Sequence, residues 1–259
     1  MSGEEREKEY LLPGERVDRL TIGNYKIIQH PEVFRFSVDA VLLATFPSLH
    51  GVKTVLDLGT GTGVIPVILA ARHPRLKITG IELQPRLADM ARRTVLLNDL
   101  AGRIKIVEGD LRQLRHYIKE ESFDLVVSNP PYLPLGTSFL NESQEMRIAR
   151  HEITCTLEDI VQAAATVLKT RGKLAMVYRP ERLVDLMWSL RSRRLEPKRL
   201  RFVHPRPGRP PVLILLEAVR DARPDLKVEA PLYLRDEEGN YSEEACRLYG
   251  IEGQEEKKR

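Results

Sequence analysis

The chain has 259 residues, a formal net charge of +4 and a pI near 9, which mildly favours an acidic partner. This length allows one large domain or one domain with small attachments. No apolar run reaches the length of a membrane span, and the acidic, polar N-terminus is unlike a signal peptide. The two cysteines, Cys155 and Cys246, have no His or Cys at metal-ligand spacing. We therefore expect reduced thiols, a cytoplasmic location, and neither a metal site nor membrane attachment.

The first 50 residues are predicted to form a hairpin followed by one helix. Two short apolar segments flank Gly23 and Asn24, a dipeptide typical of two-residue hairpin turns. Ser37 is a good N-cap for the helix that follows. Asp39 lies in the first turn of that helix, where the helix dipole favours a carboxylate, and this effect alone would explain it.

Residues 55–63 are predicted to form a buried strand that ends in a tight glycine turn. Asp57 lies in the strand, and Gly59, Gly61 and Gly63 follow at every second position before an apolar helix over 64–71. Glycines let a ligand lie directly against the backbone, and the first β-to-α turn of an open α/β sheet binds nucleotides. The dinucleotide fingerprint G-x-G-x-x-G does not fit, because its last glycine would fall on Val64. Taken alone, this turn is equally compatible with a nucleotide-like cofactor and with a purely structural role.

From there to residue 219 the predicted strands and helices alternate, which indicates a mainly parallel sheet with helices on both faces. Pro85 fits the first position of one helix, and Thr156 with Asp159 forms a candidate capping box for another. The last two strands are close in sequence and are expected to form an antiparallel hairpin at the sheet edge. The predicted strands after the glycine turn are 77–81, 104–107, 123–128, 173–178, 199–203 and 212–219.

A second motif follows the strand at 123–128. Asn129, two prolines and Tyr132 come directly after it, and consecutive prolines cannot continue a strand. Asn129 and Tyr132 are therefore predicted at the carboxyl end of the strand, the edge where such sheets bind ligands. The alternative interpretation is an ordinary proline turn.

Four further regions remain. The long connection between Tyr132 and Thr156 carries Arg150, and loops of this length are usually lids, binding loops or disordered. Residues 191–209 hold eight basic side chains against one acid, Glu196, so they form either a phosphate-binding patch or a solvated surface. Residues 231–249 are predicted to form a small hairpin and a short helix. We expect the polar end, 252–259, to be disordered.

Both motifs resemble those of known enzymes. The G-x-G-x-G spacing resembles the first motif of class I S-adenosylmethionine (SAM) methyltransferases. The N-P-P-Y segment resembles that of methyltransferases acting on amino nitrogens, namely adenine N6, cytosine N4 and glutamine N5. The implied fold is α/β and Rossmann-like, with a mainly parallel seven-stranded sheet and an antiparallel edge hairpin. The implied domains are an N-terminal hairpin and helix packed on the cofactor side (1–50), the SAM-dependent methyltransferase domain (51–220), and a C-terminal extension with a disordered tail (221–259).

Within this fold, carboxylates fall at successive strand ends on the cofactor side. Glu82 comes about 20 residues after the glycine turn, where an acid hydrogen-bonds the ribose hydroxyls. Asp110 would accept from the adenine amino group beside the Leu111 backbone, although it would equally cap the helix that starts there. Asp57 would favour the methionine ammonium or order the loop. The full expected cofactor set is Asp39, Asp57, Gly59, Thr60, Gly61, Gly63, Glu82, Leu83, Asp110, Leu111 and Asn129.

The proline motif would form the pocket for the methyl acceptor. An exocyclic amino nitrogen is a poor nucleophile, because its lone pair is delocalised into the ring. The side-chain oxygen of Asn129 and the carbonyl of Pro130 would accept hydrogen bonds from its two N–H groups. Tyr132 would stack on the planar acceptor. A base within folded RNA would have to be flipped out of its stack to reach this pocket.

The resemblance extends over nearly the whole chain to the bacterial tRNA1(Val) adenine-37 N6-methyltransferase family. The segments that look like this family are 34–44, 57–63, 129–132, 150–152, 156–172 and 231–249. The resemblance implies a tRNA partner. Arg150, Arg199, Arg201, Arg206 and Arg209 are candidate RNA-binding residues. A monomer is expected, with a weak dimer as the alternative. In that family the segment matching residues 37–40 packs over the cofactor, which would place Asp39 near the methionine moiety.

Four other functions each fit part of the sequence. A glutamine-N5 methyltransferase uses the same motif but usually carries a helical N-terminal domain, whereas only about 50 residues precede the glycine turn here. A DNA adenine methyltransferase would bring a target-recognition region, which we do not find. A nicotinamide oxidoreductase is disfavoured by Val64 and leaves the proline motif unexplained. A non-catalytic RNA-binding protein that retains the fold remains a further alternative.

Overall fold

The computed structural model describes residues 3–31, 38–130 and 155–251. The segment before the glycine turn contains two helices and a two-stranded antiparallel sheet in which β1 pairs with β2. The bounds of these elements are α1 (Gly3–Tyr10), β1 (Arg16–Arg19), β2 (Lys26–Gln29) and α2 (Val38–Thr45).

The rest of the described chain alternates strands and helices around one large sheet. In chain order these elements are β3 (Thr54–Leu58), α3 (Val64–Arg72), β4 (Lys77–Glu82), α4 (Pro85–Leu97), β5 (Ile104–Glu108), β6 (Phe123–Ser128), α5 (Leu157–Val167), β7 (Leu168–Tyr178), α6 (Leu183–Ser192), β8 (Leu195–His204), β9 (Leu213–Arg220), β10 (Lys227–Val228), β11 (Leu232–Tyr233) and α7 (Glu243–Tyr249). Short 3-10 turns occupy Ile22–Asn24, Leu111–His116 and Pro180–Arg182.

The strand order is β10-β8-β9-β7-β6-β3-β4-β5, with β11 paired alongside β8. Only β9 among these strands runs antiparallel to its neighbours. The chain moves outward from β3 to β5 and then returns to β6 on the other side of β3. The carboxyl ends of β3 and β6 therefore mark the topological switch point, and open α/β sheets bind ligands in the crevice outside these strand ends.

Two hydrophobic cores hold the helices against opposite faces of the sheet. One contains α2 and α3 with alternate residues of the central strands, and the other contains α5 and α6. The central strands are apolar on both faces, as Val55, Leu56, Leu125 and Val126 show with no exposed area. Both hydrogen bonds of the predicted capping box at the start of α5 are present. Pro85 is the first residue of α4, as predicted.

The predicted two-residue hairpin turn at Gly23 and Asn24 is wrong. The strands pair only up to Arg19 and Lys26, so the connection has six residues, and the Leu20 N–H donates to the Tyr25 carbonyl across it. A Cβ on Gly23 would lie 2.9 Å from the Cβ of Ala71 in α3. The connection is therefore shaped by its contact with α3 rather than by local turn preference alone.

The predicted mainly parallel sheet and the hairpin of β8 and β9 are confirmed. Two strands of two residues each, β10 and β11, were not predicted, and they bring the described sheet to nine strands instead of seven. Of the predicted hairpin at 231–244, Leu232–Tyr233 pairs with β8 instead, and a single bridge joins Arg235 to Tyr241 across the Gly239 turn. The edge of β8 offers free backbone groups, which this segment covers. The tail expected at 252–259 lies outside the described residues.

Candidate active site

The glycine turn follows β3 and Asn129 follows β6, and the two lie next to each other at the carboxyl edge of the sheet. Ser128, the last residue of β6, lies opposite Leu58, the last residue of β3. The Ser128 hydroxyl donates to the Leu58 carbonyl at 3.1 Å, and both groups are buried. This hydrogen bond closes the sheet at the switch point, so that the segments after β3 and β6 leave it next to each other.

All three glycines of the turn adopt left-handed backbone conformations, with φ of +75° at Gly59, +56° at Gly61 and +86° at Gly63. Other residues rarely adopt this region, so the conformation accounts for the glycine spacing. A Cβ on Gly59 would meet nothing within 4 Å, whereas one on Gly63 would lie 3.4 Å from the Cβ of Ala91. The turn therefore has open space beside Gly59 and packs closely against α4 at Gly63.

Asp57 is completely buried beneath this turn. Its Oδ2 accepts a hydrogen bond of 2.6 Å from the Thr60 hydroxyl, while its Oδ1 has no hydrogen-bond partner within the described residues. The pKa of Asp57 is raised to about 7, mainly by burial and also by the Glu82 charge, while the hydrogen bond from Thr60 opposes the rise. The Thr62 hydroxyl is likewise buried without a described partner.

Glu82 ends β4 and anchors the turn from the other side. Its two carboxylate oxygens accept backbone N–H bonds from Gly61 at 2.8 Å and Gln84 at 3.0 Å. Burial raises the pKa of Glu82, opposed by backbone hydrogen bonds that include one from Leu83. A carboxylate has about four acceptor sites, so Glu82 retains acceptor capacity for a ligand beside these three backbone hydrogen bonds.

Asp110 follows β5 and caps the 3-10 turn that starts at Leu111. Its carboxylate accepts from the Arg112 backbone N–H at 2.9 Å and pairs with the Arg112 guanidinium at 2.6 Å. The hydrogen bond to the Arg112 side chain lowers the pKa of Asp110. The structure thus contains the capping interaction that the sequence offers as the alternative role of Asp110, together with an ion pair to Arg112 that the sequence pattern does not predict.

Asn129 is partly buried and Pro130 is buried, directly after β6. Tyr132 and Arg150 lie outside the described residues, so their predicted roles stay predictions. Asp39 lies in the first turn of α2. Burial, followed by the charges of Tyr241 and Asp39, raises the pKa of Tyr249. The helix that carries Asp39, α2, contacts the C-terminal helix α7.

The four candidate RNA-binding arginines within the described residues do not form one group. The Arg199 guanidinium lies 4.4 Å from the centre of the Phe46 ring and pairs with Glu229 at 2.7 Å and Glu217 at 3.4 Å. Arg201 forms a two-pronged pair with Glu244 at 2.7 and 2.8 Å. Both side chains are therefore occupied by carboxylates of the same chain.

Arg206 and Arg209, in contrast, are exposed on the loop between β8 and β9. They line an open cavity of about 570 Å³. Within the described ranges neither of them forms an ion pair with a carboxylate.

Sequence reasoning missed Gly80, in the middle of β4. A Cβ there would lie 2.7 Å from the Thr60 Oγ1, so Gly80 makes room for the glycine turn to fold back on the sheet. An isolated glycine within a strand signals such a close approach and could have identified it. The role of Ser128 had no comparable signal, because its partner is a carbonyl 70 residues away.

Across the described part of the chain, no group of three or more His, Cys, Asp or Glu side chains is arranged to hold a metal ion. None of the described helices combines the length and apolar character needed to cross a bilayer.

The chain was compared with known proteins. Residues 24–186 match the family model described as the methyltransferase small domain. A relative from Porphyromonas gingivalis, named tRNA1(Val) (adenine(37)-N6)-methyltransferase, is 34% identical over 206 residues, 77% of this chain and 80% of the relative. One of the same name from Tolumonas auensis is 31% identical over 239 residues, 88% of this chain and 93% of the relative. A crystal structure from Agrobacterium tumefaciens, described as a predicted O-methyltransferase, matches with a TM-score of 0.66 and 26% identity, covering 82% of this chain and 95% of that one.

Proposed function

The chain belongs to the methyltransferase small-domain family, and from this membership we propose that it methylates the N6 amino group of an adenine in tRNA. It is a SAM-dependent methyltransferase. The two relatives named as enzymes for adenine 37 of tRNA1(Val) support this acceptor. The observation that carries the proposal is the placement of Asn129 and Pro130 at the end of β6, beside the glycine turn at the end of β3.

The residues at the switch point suit SAM. The space beside Gly59 allows a ligand to lie against the backbone. Asp57 Oδ1 and the Thr62 hydroxyl are buried polar atoms without described partners, and such atoms are normally satisfied by a ligand or by water. We propose that Asp57, beneath the turn, favours the ammonium through its charge, that Glu82 binds the ribose hydroxyls, and that Asp110 and the Leu111 backbone bind the adenine. Asp39, Thr60 and Leu83 complete the proposed set.

When bound, SAM supplies an electrophilic methyl group on a sulfonium. The chain's contribution is to hold the acceptor nitrogen with its lone pair free. The Asn129 side-chain oxygen and the Pro130 carbonyl accept hydrogen bonds from its two N–H groups. These hydrogen bonds draw the nitrogen towards tetrahedral geometry. The proline ring fixes its own φ, so it restrains the carbonyl before the acceptor arrives. Tyr132 is assigned to stack on the adenine, which must leave the base stack to reach this edge.

The proposed tRNA substrate also bears on where the enzyme acts. We propose a cytoplasmic enzyme in which Cys155 and Cys246, both free thiols, stay reduced. A monomer suffices for the proposed chemistry, because every residue assigned to the cofactor and acceptor comes from one chain.

The test is to incubate the protein with SAM and unmodified total tRNA, digest the RNA and measure methylated nucleosides by mass spectrometry. We expect new N6-methyladenosine, and its formation should be at least about 100-fold slower with an Asn129→Ala variant. Repeating the assay with a tRNA1(Val) transcript and with the same transcript lacking adenine 37 locates the position. If SAM binds but no methylated nucleoside forms, tRNA is not the acceptor; a protein glutamine would then be the next one to test.

A further inference from the structure

The open cavity at the β8–β9 loop is lined by three arginines that come from two separate segments. Arg206 and Arg209 lie on the loop, and Arg235 lies just after β11. Glu181 is the one carboxylate among the lining residues of the cavity. Three guanidinium groups against one carboxylate give the lining a net positive charge, which suits phosphate groups.

Backbone contacts fix the three arginines relative to one another. The Arg235 N–H donates to the Pro205 carbonyl at 3.0 Å, which joins the segment after β11 to the loop. The Arg209 N–H donates to the Arg206 carbonyl at 3.3 Å, and the Arg209 carbonyl lies 2.6 Å from Nδ1 of His204. The guanidinium of Arg235 is held 4.6 Å from the centre of the Tyr241 ring.

Four prolines stiffen the same loop: Pro205, Pro207, Pro210 and Pro211. Each fixes its own φ, so the loop loses little freedom when a ligand binds. Gly208, at φ +72°, supplies the left-handed turn between them. The arginines are thus presented on a preorganised backbone, although they lie in a loop.

The position of the cavity matches the proposed active site. The loop follows the carboxyl end of β8, and Asn129 follows the carboxyl end of β6, so both lie at the same edge of the sheet. Two strands, β9 and β7, separate them in the sheet order. At about 4.8 Å per strand spacing, the two sites are roughly 14 Å apart along the edge. RNA bound in the cavity would therefore be a few nucleotides from the base being methylated.

We propose that this cavity, defined by Arg206, Arg209 and Arg235, binds backbone phosphates of the tRNA next to the flipped adenine. This inference rests on the proposed function for the identity of the RNA. It adds Arg235, which is distant in sequence from the other two. It also excludes Arg199 and Arg201, whose guanidinium groups are held by Glu217, Glu229 and Glu244.

The test compares two triple variants that lose the same charge from opposite edges of the sheet. The first replaces Arg206, Arg209 and Arg235 with Ala. The control replaces three exposed basic residues at the other edge of the sheet with Ala. They are Lys53 just before β3, Arg75 before β4 and Lys105 near the start of β5. Binding of an unmodified tRNA1(Val) transcript is measured by fluorescence anisotropy over a KCl series. SAM affinity is measured alongside as a check of the fold.

We expect the cavity variant to bind RNA at least tenfold more weakly and its slope of log K against log salt to flatten by about three, one unit per lost contact. SAM affinity should stay within twofold of the unsubstituted protein. The control variant should change the slope by less than one. Restoring charge with Lys at the three cavity positions should recover most of the slope.

Equal flattening in both variants would overturn the proposal, because it would show a response to net charge alone. An unchanged slope in the cavity variant, with tRNA still methylated, would show that the cavity does not bind RNA phosphates. The proposed function would still stand. Failure of the unsubstituted protein to methylate tRNA, with a cavity-dependent salt slope, would instead overturn the proposed function and leave a phosphate-binding cavity.

Discussion

Asp57 is a buried carboxyl group that the described chain satisfies on one oxygen only. Its pKa of about 7, raised by burial from an ordinary value of 3.8, means that it holds its proton over a range where the unfolded chain has lost it. The folded state therefore loses stability from this group as pH rises from about 4 to 7. The presence of a carboxyl group at this buried position is explained if the positive charge of a ligand stabilises its ionised form.

This leads to a prediction about SAM binding. An ammonium beside Asp57 would lower its pKa, so binding at pH 6 should release close to one proton, and SAM affinity should rise as pH rises towards 7. Isothermal titration calorimetry in buffers of different ionisation enthalpy measures this release. Asp57→Asn should abolish it. Glu82→Gln tests the other carboxyl group whose pKa is raised by burial; proton release should persist in it at a reduced size, because the Glu82 charge contributes to the raised pKa of Asp57. Release that survives in Asp57→Asn would assign the ammonium to another group.

The second residue-scale prediction concerns Asn129. Asn129→Ala removes the acceptor assigned to one amino N–H, so kcat should fall by about 100- to 1,000-fold, as for loss of one preorganised polar contact. SAM affinity should change by less than threefold. Gln162→Ala, the loss of an exposed amide on α5, is the control and should leave both quantities unchanged. The measurements are single-turnover methylation and calorimetry. A large loss of SAM affinity in Asn129→Ala would reassign Asn129 to the cofactor.

At the scale of elements, the turn after β3 depends on a gap in β4. Thr60 is held by its hydroxyl on Asp57 and by its N–H on the Ile81 carbonyl, and Gly80 leaves the space it occupies. A sheet packed this closely cannot absorb an added methyl group without moving the turn.

We therefore expect Gly80→Ala to destabilise the protein by about 1–3 kcal/mol and to weaken SAM binding at least tenfold. Gly102→Ala is the matched control, because a Cβ at Gly102 would meet nothing within 4 Å. It should change stability by less than about 0.5 kcal/mol. Urea unfolding with and without SAM measures both effects. Equal behaviour of the two variants would mean that Thr60 does not need the space at Gly80.

The elements that could be predicted from the sequence are those encoded by local patterns. Apolar runs predicted β3 to β9, and consecutive prolines predicted where the chain leaves the sheet after β6. Thr156 and Asp159 predicted the start of α5. Parallel strands then place their carboxyl ends at one edge, which brings Asn129 to the glycine turn.

The elements that could not be predicted depend on partners distant in sequence. β10 and β11 are two residues long and form only because β8 offers them an edge. The turn at Gly23 follows its contact with Ala71. Arg112, the partner of Asp110, is close in sequence, but its charge gave no reason to prefer a capping role over binding a ligand.

At the scale of the whole molecule, the basic segment at 191–209 is divided by the fold. Several of its cations pair with carboxylates: Arg191 with Glu196 of the same segment, Arg194 with Asp221, and Arg199 with Glu217 and Glu229. The loop arginines, Arg206 and Arg209, line the cavity instead. Charge that is contiguous in sequence thus serves two purposes, which composition cannot separate.

The two pairs of arginines should therefore respond differently to substitution. The variant Arg199→Ala/Arg201→Ala leaves Glu217, which is 4% exposed, as a buried carboxylate without its cation and removes the tie between β8 and α7. Since Arg199 is itself 28% exposed in its side chain, water will offset part of this loss, and we expect destabilisation of about 1–3 kcal/mol. The salt slope of tRNA binding should be unchanged. Urea unfolding and anisotropy over a KCl series measure the two effects.

The matched variant, Arg206→Ala/Arg209→Ala, should show the reverse: stability within about 0.5 kcal/mol and a salt slope flattened by about two. Each pair loses two positive charges from the same sequence segment, so net charge cannot account for a difference between them. If Arg199→Ala/Arg201→Ala flattened the slope at unchanged stability, the carboxylate pairs would have to open when RNA binds. The whole segment would then act as the phosphate-binding surface that its sequence suggests.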